Sequence, residues 1–361
     1  MIAFPAARAL LAIAGITSAA AWASACDTTP RAVSKLLDNF ETHRVVAFGE
    51  GLHGNEQAHA FRLALIRDPR FPLVVNDIVV EFGTSRYQHL MDAFVRGEDV
   101  SATDLRNAWR DSMKGGPLWD VPIYEEFFRA VRAVNAGLPA NRRIRVLLAD
   151  PPIEWEHVRS PQDWIAWNSR GVVYAANLIR TEVLQRGRRA LLVFGDGHYQ
   201  RRMENAFDAD MKPMMTLRNR IEQDDPDSVF SIWTNTTVPL ELLDSSASSW
   251  PVPHLVVLSG TSLGRLHFSV FAGIRSKMRM EDQYDAILHL GPPSSITMSE
   301  LPVELCRDEA YRNMRLGRLA LSPGGLQESE RFENVCAQRI RGRRPFNESH
   351  GASIGIPDSR R

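Results

Sequence analysis

Short apolar runs of strand length recur along the chain, and several end in a turn that carries an acidic or histidine side chain. The first run is followed by Glu50 and His53, and a later one, at 190–194, is followed by Asp196 and His198. Stretches with helical spacing of apolar residues separate these runs. Strands that alternate with helices in this way predict an α/β fold: a mostly parallel central sheet with helices on both faces.

The same pattern predicts where the turns meet. Glu81 ends the run at 72–82, and Asp150 follows the run at 144–149. The carboxyl ends of parallel strands lie at one edge of a sheet. Six groups are therefore expected on one rim: Glu50, His53, Glu81, Asp150, Asp196 and His198. Such clusters are costly to fold and tend to persist at sites of proton transfer or metal binding. Other strands are predicted at 45–48, 228–234, 254–259 and 285–290, and helices at 31–39, from 55 onward, 85–94, 105–113, 124–134 and 168–186.

The composition narrows the class of protein. The 361 residues include 43 basic and 43 acidic side chains, which argues against a nucleic-acid partner or a polybasic membrane contact. The length suits one α/β domain at 26–338, with a helical insertion or lid at 97–167 that contains one core strand, and a solvated tail at 339–361. The insertion holds five of the eight tryptophans. We predict that one of them, Trp155, contacts substrate, although tryptophans are also ordinary core residues.

The amino terminus predicts export. Residues 1–25 have a positive start at Arg8, an apolar stretch at 9–16 and a small-residue cleavage site, as in a signal peptide. We therefore expect a periplasmic or secreted protein. Cys26 would become the first residue, where a bacterial lipoprotein carries its lipid, but Ala23 replaces the usual Leu, so lipidation stays open. Membrane contact is expected only through such a lipid.

An odd number of cysteines in an exported protein needs an explanation. If Cys26 carries a lipid, Cys306 and Cys336 are left to pair across 30 positions. Closing a loop of that length typically stabilises a fold by about 3 kcal/mol.

Four short motifs occur in order along residues 44–290. They are Gly-Glu-x-x-His-Gly at 49–54, a strand-ending Glu81, Arg-x6-Asn at Arg170 and Asn177, and Gly-x-x-His at 195–198. This combination resembles the erythromycin esterase family. It also resembles the wider superfamily that contains haem-binding iron-uptake lipoproteins and TIKI-type metalloproteases. The resemblance implies that His53 is the base that activates water, Glu81 its acidic partner and His198 a second histidine of the site.

Two positions depart from the esterase pattern. The esterases usually have His-x-x-His in the late turn, where this chain has Gly195 and His198, as in the haem-binding and metalloprotease branches. Gly171 stands where the esterases tend to carry Asp. Both differences argue against macrolide esterase activity itself.

The residues predict a chemistry without the family name. A neutral imidazole can take a proton from water at physiological pH, and a carboxylate that fixes its tautomer makes it a better base. His198 or Arg170 could then stabilise the charge on a carbonyl oxygen. We therefore expect hydrolysis of an ester, lactone or amide bond in a small molecule or peptide, and the residues do not decide whether a divalent metal takes part. The expected catalytic residues are His53, Glu81, His198, Glu50 and Arg170, and the expected substrate contacts are Asp150, Asn177, Asp196 and Trp155.

Two alternatives use the same side chains. A divalent metal could be held by an oxygen and nitrogen shell from Glu50, His53, Glu81 and His198. A surface lipoprotein without turnover could instead bind haem or another ligand, with His53, His198 or Tyr199 as an axial ligand. The sequence has no C-x-x-C-H motif, so a haem would be exchangeable.

A third alternative lies at 260–264, where GTSLG matches the G-x-S-x-G nucleophile elbow with Ser262 as nucleophile. Asp285 and His289 are the nearby candidates for the rest of a triad. The elbow requires a helix next, but 266–271 alternates like a strand, so a simple turn is predicted. Eight further histidines are expected to be surface or hydrogen-bonded core residues: His43, His59, His89, His157, His254, His267, His289 and His350.

Overall fold

The computed structural model describes residues 17–203, 214–273, 276–322 and 324–342, with side chains from residue 28 onward. Most of the predicted signal peptide, the Cys26 side chain and the tail from residue 343 lie outside the described residues, so the predictions made for them are untested. Within the described part of the chain, no helix combines the length and the apolar character needed to span a membrane.

Seven strands form one sheet, in the order β3-β2-β4-β1-β5-β7-β6. The strands are β1 (Val45–Gly49), β2 (Asp77–Thr84), β3 (Arg145–Asp150), β4 (Ala190–Phe194), β5 (Val229–Asn235), β6 (His254–Val257) and β7 (Ala286–His289). All neighbouring pairs are parallel except β6 and β7, which are antiparallel. The predicted sheet is confirmed, and each of the seven predicted runs contains a strand.

Side chains from β1 pack on both faces of the sheet. Val46 and Phe48 belong to one hydrophobic cluster, and Val45 and Ala47 belong to another. Because a parallel sheet is covered on both sides, its central strands are continuous apolar runs rather than alternating ones. This is why the sequence signal for β1 is a solid block of apolar residues.

Helices cover both faces, as predicted. Six of them precede β3 in the chain: α1 (Thr17–Asp38), α2 (Glu56–Arg67), α3 (Phe71–Val74), α4 (Gln88–Arg96), α5 (Ala102–Arg110) and α6 (Pro122–Ala136). Six more follow: α7 (Pro161–Asn168), α8 (Gly171–Ile179), α9 (Leu217–Glu222), α10 (Ser262–Arg265), α11 (Ser269–Ala272) and α12 (Met280–Gln283). Residues of α1 to α6 pack with Val46 and Phe48, whereas residues of α8 to α12 pack with Val45 and Ala47.

Three local predictions were wrong. The run at 72–82 begins as α3, because Pro72 lies in the first turn of a helix and its fixed φ suits that position. The run at 266–271 contains α11 rather than a strand, and the predicted turn at 260–264 enters α10, which Thr261 caps. The helix predicted at 168–186 is shorter: α8 ends at Ile179 and one turn of π-helix follows.

Three helices at the end of the described chain form a separate small cluster. They are α13 (Val303–Arg307), α14 (Glu309–Leu319) and α15 (Gly325–Ile340). A disulfide between Cys306 and Cys336 joins α13 to α15, with the two Cα atoms 4.9 Å apart. The predicted pair is therefore present. Tyr311 and Phe332 pack beside it.

Candidate active site

The register of three strands creates the site. β4 lies between β1 and β2, with Gly49 opposite Phe194 and Val80 opposite Val193. The backbone N–H of Glu50 continues the ladder by donating to the carbonyl of Phe194 at 3.0 Å. The turn after β4 therefore lies between the Glu50 turn on one side and Glu81 on the other.

Glycine is required where the β1 turn meets the β4 turn. A Cβ on Gly49 would overlap Oδ1 of Asp196, so a larger residue would separate the two turns. Gly54 has a φ of +86°, which side chains disfavour, and its N–H donates to the hydroxyl of Tyr124 at 3.0 Å. The two glycines thus have different roles: Gly49 lets the turn after β1 lie directly against Asp196, and Gly54 adopts a left-handed backbone conformation.

His53 is held by a buried carboxylate. Its Nδ1 donates to Oε2 of Glu50 at 2.9 Å, and the other oxygen of Glu50 accepts a hydrogen bond from Arg62 on α2. Burial raises the pKa of Glu50, but Arg62 and His53 outweigh it, so its pKa lies below the usual value. An ionised Glu50 places the proton of neutral His53 on Nδ1 and leaves Nε2 free to accept another.

Glu81 and His198 form a second carboxylate–imidazole pair. Oε1 of Glu81 lies 3.4 Å from Nε2 of His198, and Oε2 accepts from the N–H of Gly195 at 2.8 Å. Burial raises the pKa of Glu81, but the charge and hydrogen bond of His198 lower it further than burial raises it. Glu81 is therefore an anion at neutral pH.

The two pairs meet at Gly195. A Cβ on this residue would lie 3.1 Å from Nε2 of His53 and 3.7 Å from Oε2 of Glu81. One ligand atom each from Glu50, His53 and Glu81 lie within 4.8 Å of one another. The structure thus brings Glu50, His53, Glu81 and His198 to one rim, as expected. Their catalytic roles stay predictions.

An aromatic wall closes one side of His53. The Trp119 ring meets the imidazole edge to face, with centroids 4.8 Å apart, and Trp119 is 1% exposed. Trp119 belongs to the segment predicted as an insertion, so a tryptophan of that segment lies at the site. The Trp155 ring lies 4.6 Å from the guanidinium of Arg318, and its indole N–H donates to the carbonyl of Asp111.

Asp150 and Asp196 lie at the rim and hold neighbouring segments. Oδ2 of Asp150 accepts from the N–H of Met113 at 2.9 Å, and Oδ1 of Asp196 accepts from the N–H of Thr234 at 3.1 Å. Burial raises the pKa of each carboxyl to about 7. Within the described part of the chain neither acid accepts a hydrogen bond from an arginine, so both are poorly compensated when ionised.

The contacts of Arg170 and Asn177 lie along α7 and α8. The Arg170 guanidinium stacks over Trp167 at 5.2 Å, and Oδ1 of Asn177 accepts from Arg180. Gly171, next to Arg170, lies against Met113, so Arg170 is near the Asp150 end of the rim. Asn177 is exposed and two turns further along α8. These contacts give the predicted substrate role of Asn177 no support.

Sequence reasoning missed two cations. Arg62 is 1% exposed although it lies on the apolar stripe of α2, and a charge at such a position was the available signal. Lys114 is exposed, and its positive charge lowers the pKa of His53, of Glu81 and of Asp150. Among the described residues it forms no ion pair. Lys114 is one of four lysines in a chain that otherwise uses arginine.

The predicted triad alternative is excluded by placement. Ser262 is exposed and its hydroxyl donates to Oδ2 of Asp244 at 2.6 Å. Asp285 precedes β7 and is bound by Arg218 and Arg201, whereas His289 is the last residue of that strand. An acid and a histidine at opposite ends of one strand cannot serve the same serine. The GTSLG segment is therefore structural.

The chain matches no protein-family model and no curated protein, but its fold matches solved structures. A Bacillus cereus structural-genomics protein has 10% identity and a TM-score of 0.50, over 78% of this chain and 98% of that one. An erythromycin esterase mutant, EreC in its open conformation, has 12% identity and a TM-score of 0.51, over 74% and 94%. The chain has the erythromycin esterase-like fold. A succinoglycan biosynthesis protein matches this fold too, with 9% identity and a TM-score of 0.52, over 72% and 89%.

Proposed function

We propose that this erythromycin esterase-like protein is an exported hydrolase in which His53 activates water against an ester, lactone or amide carbonyl of a small molecule or peptide. The observation that carries the proposal is the orientation of His53. Glu50 fixes the Nδ1 proton, and Nε2 lies at the space bounded by Gly195 and Glu81. A base held in this way has its accepting nitrogen free for water.

The proton balance needs only residues of the rim. Water at Nε2 of His53 gives up a proton as its oxygen attacks the carbonyl carbon. The protonated imidazole is stabilised by Glu50 and by the charge of Glu81, and it returns the proton to the leaving group when the tetrahedral intermediate collapses. Burial lowers the pKa of His53, but the two carboxylates raise it above its usual value. The same carboxylates therefore make His53 a stronger base.

The oxyanion of the intermediate needs a nearby positive group. Lys114 is the first candidate for that role. Its charge lowers the pKa of His53 and of Glu81, and it forms no ion pair among the described residues. His198 is the second candidate, since its ring pairs with Glu81 at the same rim. A positive group that reaches the oxyanion typically contributes about 10²-fold or more to the rate.

The donor set favours hydrolysis without a metal. Glu50, His53 and Glu81 are close enough to share an ion, but both oxygens of Glu50 already bind Arg62 and His53. A divalent cation there would share its Glu50 ligand with a buried guanidinium, and the two positive charges would repel each other. The haem alternative has less support, because Tyr199 is buried and Nε2 of His53 faces the backbone of Gly195.

The test is a hydrolysis screen of aryl esters, lactones and short peptides, run with the wild type and with His53→Ala. We expect the wild type to turn over at least one substrate and His53→Ala to lose about 10³-fold in kcat/KM. His157→Ala is the matched control, because His157 is exposed and its imidazole pairs, among the described residues, with Glu154 of the same turn. Activity should survive exhaustive chelation. Full activity in His53→Ala, or activity that disappears with the chelator and returns with manganese or cobalt, would contradict the proposal.

A further inference from the structure

One loop carries both the aromatic wall beside His53 and the exposed cation Lys114. We call residues 111–121 the wall loop; it connects α5 to α6 and carries Lys114 and Trp119. Trp119 meets His53 edge to face, and the N–H of Met113 binds Asp150. This loop therefore supplies one wall of the space around the imidazole.

Helix α14 holds the wall loop from the far end of the chain. Arg315 forms an ion pair with Asp120, and the hydroxyl of Tyr311 donates to the same carboxylate. The side chains of Arg315 and Asp120 are each 1% exposed. The guanidinium also donates to the carbonyls of Arg110 at 2.9 Å and Gly115 at 3.3 Å.

A second arginine of α14 binds the start of the loop. Arg318 donates to Oδ1 of Asp111 at 2.7 Å and to the carbonyl of Arg110 at 3.0 Å. The backbone of Arg318 also lies against Gly115, where a Cβ would come within 3.1 Å of its carbonyl oxygen. The helix thus contacts the beginning, the middle and the end of the wall loop.

A buried ion pair is weak evidence for stability, because the loss of hydration offsets much of the attraction between the charges. Its better attested effect is to fix one arrangement among several. Here the fixed group is Asp120, the chain neighbour of the tryptophan that touches His53.

We infer that Asp120 is a positioning residue, which acts through Trp119 to keep the His53 ring in its bond to Glu50, and that α14 holds Asp120 in place. The inference rests on the proposed role of His53. It predicts that the disulfide-linked helices α13 to α15 are part of the active-site structure rather than a peripheral addition. Loss of the Asp120 contacts should therefore change the chemistry at His53 more than substrate binding.

The test compares Asp120→Asn with Asp285→Asn. Asp285 is the matched control, because it is bound by Arg218 and Arg201 at the other edge of the sheet. We expect Asp120→Asn to lower kcat about tenfold with less than a twofold change in KM, and to shift the acid limb of the pH–rate profile. Asp285→Asn should lower the thermal midpoint but leave kcat and the pH profile unchanged.

A second readout does not depend on turnover. The imidazole of His53 can be titrated by NMR in wild type, Asp120→Asn and Arg315→Lys, with His53→Gln to assign the signal. The inference predicts a changed titration midpoint for His53 in both Asp120→Asn and Arg315→Lys, with His198 unchanged. An unchanged His53 titration, or equal kcat losses in Asp120→Asn and Asp285→Asn, would overturn it. If no substrate is found, the NMR result still decides the positioning role, so the two proposals fail separately.

Discussion

The two ends of strand β2 carry carboxylates with very different surroundings. Asp77, at the beginning, accepts from Arg145 at 2.7 Å and from Arg188 at 2.6 and 2.8 Å, and its side chain is fully buried. Glu81, four residues on, accepts from one backbone N–H and lies 3.4 Å from His198. Arginine keeps its proton at all physiological pH values, whereas imidazole can release it. The first carboxylate can only stabilise, and the second can take part in proton transfer.

The contrast extends along both edges of the sheet. At the edge where the parallel strands begin, Asp285 binds Arg218 at 2.9 Å and Asp225 lies 3.3 Å from Arg44. At the opposite edge, Asp150 and Asp196 accept from backbone N–H groups, and burial raises the pKa of each to about 7. Buried acids without a positive partner lower the stability of the fold. Such acids are expected where function requires them.

The largest expected effect separates Glu81 from Asp77. Glu81→Gln should lower kcat/KM about 10³-fold, because the charge that supports the protonated imidazole is lost, and its stability should stay near that of wild type. Asp77→Asn should lower the free energy of unfolding by about 3 kcal/mol, because two half-buried arginines lose the buried carboxylate that pairs with them, with kcat unchanged in the folded fraction. Urea unfolding and steady-state kinetics on both variants measure this. Equal losses of kcat/KM in Glu81→Gln and Asp77→Asn would contradict the proposed difference between the two ends of β2.

The next effect concerns Lys114, the cation at the rim. Lys114→Met should lower kcat about 10²-fold with little change in stability, because an exposed side chain without an ion pair among the described residues contributes little to folding. Lys35→Met, on the exposed side of α1, is the matched control and should behave as wild type. The measurement is kcat of wild type and both variants with the best ester of the screen. An active Lys114→Met would assign the oxyanion to His198.

A smaller effect appears in stability against pH. The pKa of Asp150 is about 7 in the folded protein and 3.8 in a model peptide, so between these values the folded state binds a proton that the unfolded state releases. Stability is therefore lost as pH rises through this window. Asp150→Asn removes the charge and should stabilise the protein by about 2 kcal/mol at pH 8. At pH 4 the gain should nearly vanish. Thermal unfolding at the two pH values checks this, and a gain of equal size at both would contradict the pKa assignment.

Much of the fold follows from the sequence because its signals are local. The solid apolar blocks of β1 and β4 need only the preference for a buried strand, and Asn55 caps α2 as the spacing after it suggests. The convergence of Glu50, His53, Glu81 and His198 follows from topology, since parallel strands end at one edge. The start of the apolar run at Pro72 was assigned wrongly, because proline is compatible both with a strand edge and with the first turn of a helix.

The surroundings of the site could not be predicted in the same way. Nothing in the spacing of residues relates Asp120 to Arg315, which are 195 positions apart, or Trp119 to His53. Such contacts depend on how helices pack after the sheet has formed. Composition gives no direction to a side chain, so the density of tryptophan at 97–167 could not indicate that Trp119 is the ring beside His53. The substrate contact predicted for Trp155 stays a prediction.

The last prediction tests the space at the rim rather than its charge. A Cβ at Gly195 would lie 3.1 Å from Nε2 and Cε1 of His53, so an alanine would occupy the position proposed for water. The backbone there has φ −60° and ψ 145°, which alanine adopts without strain, and the N–H bond to Glu81 is retained. Gly195→Ala should therefore keep its backbone conformation, with the His53 ring displaced by a few tenths of an ångström, and lose about tenfold in kcat. Gly197→Ala is the matched control, because a Cβ at Gly197 meets no atom within 4 Å, and it should keep full activity. If both variants are fully active, water does not attack from the Gly195 side of His53, and the base would have to work on the opposite side of its ring.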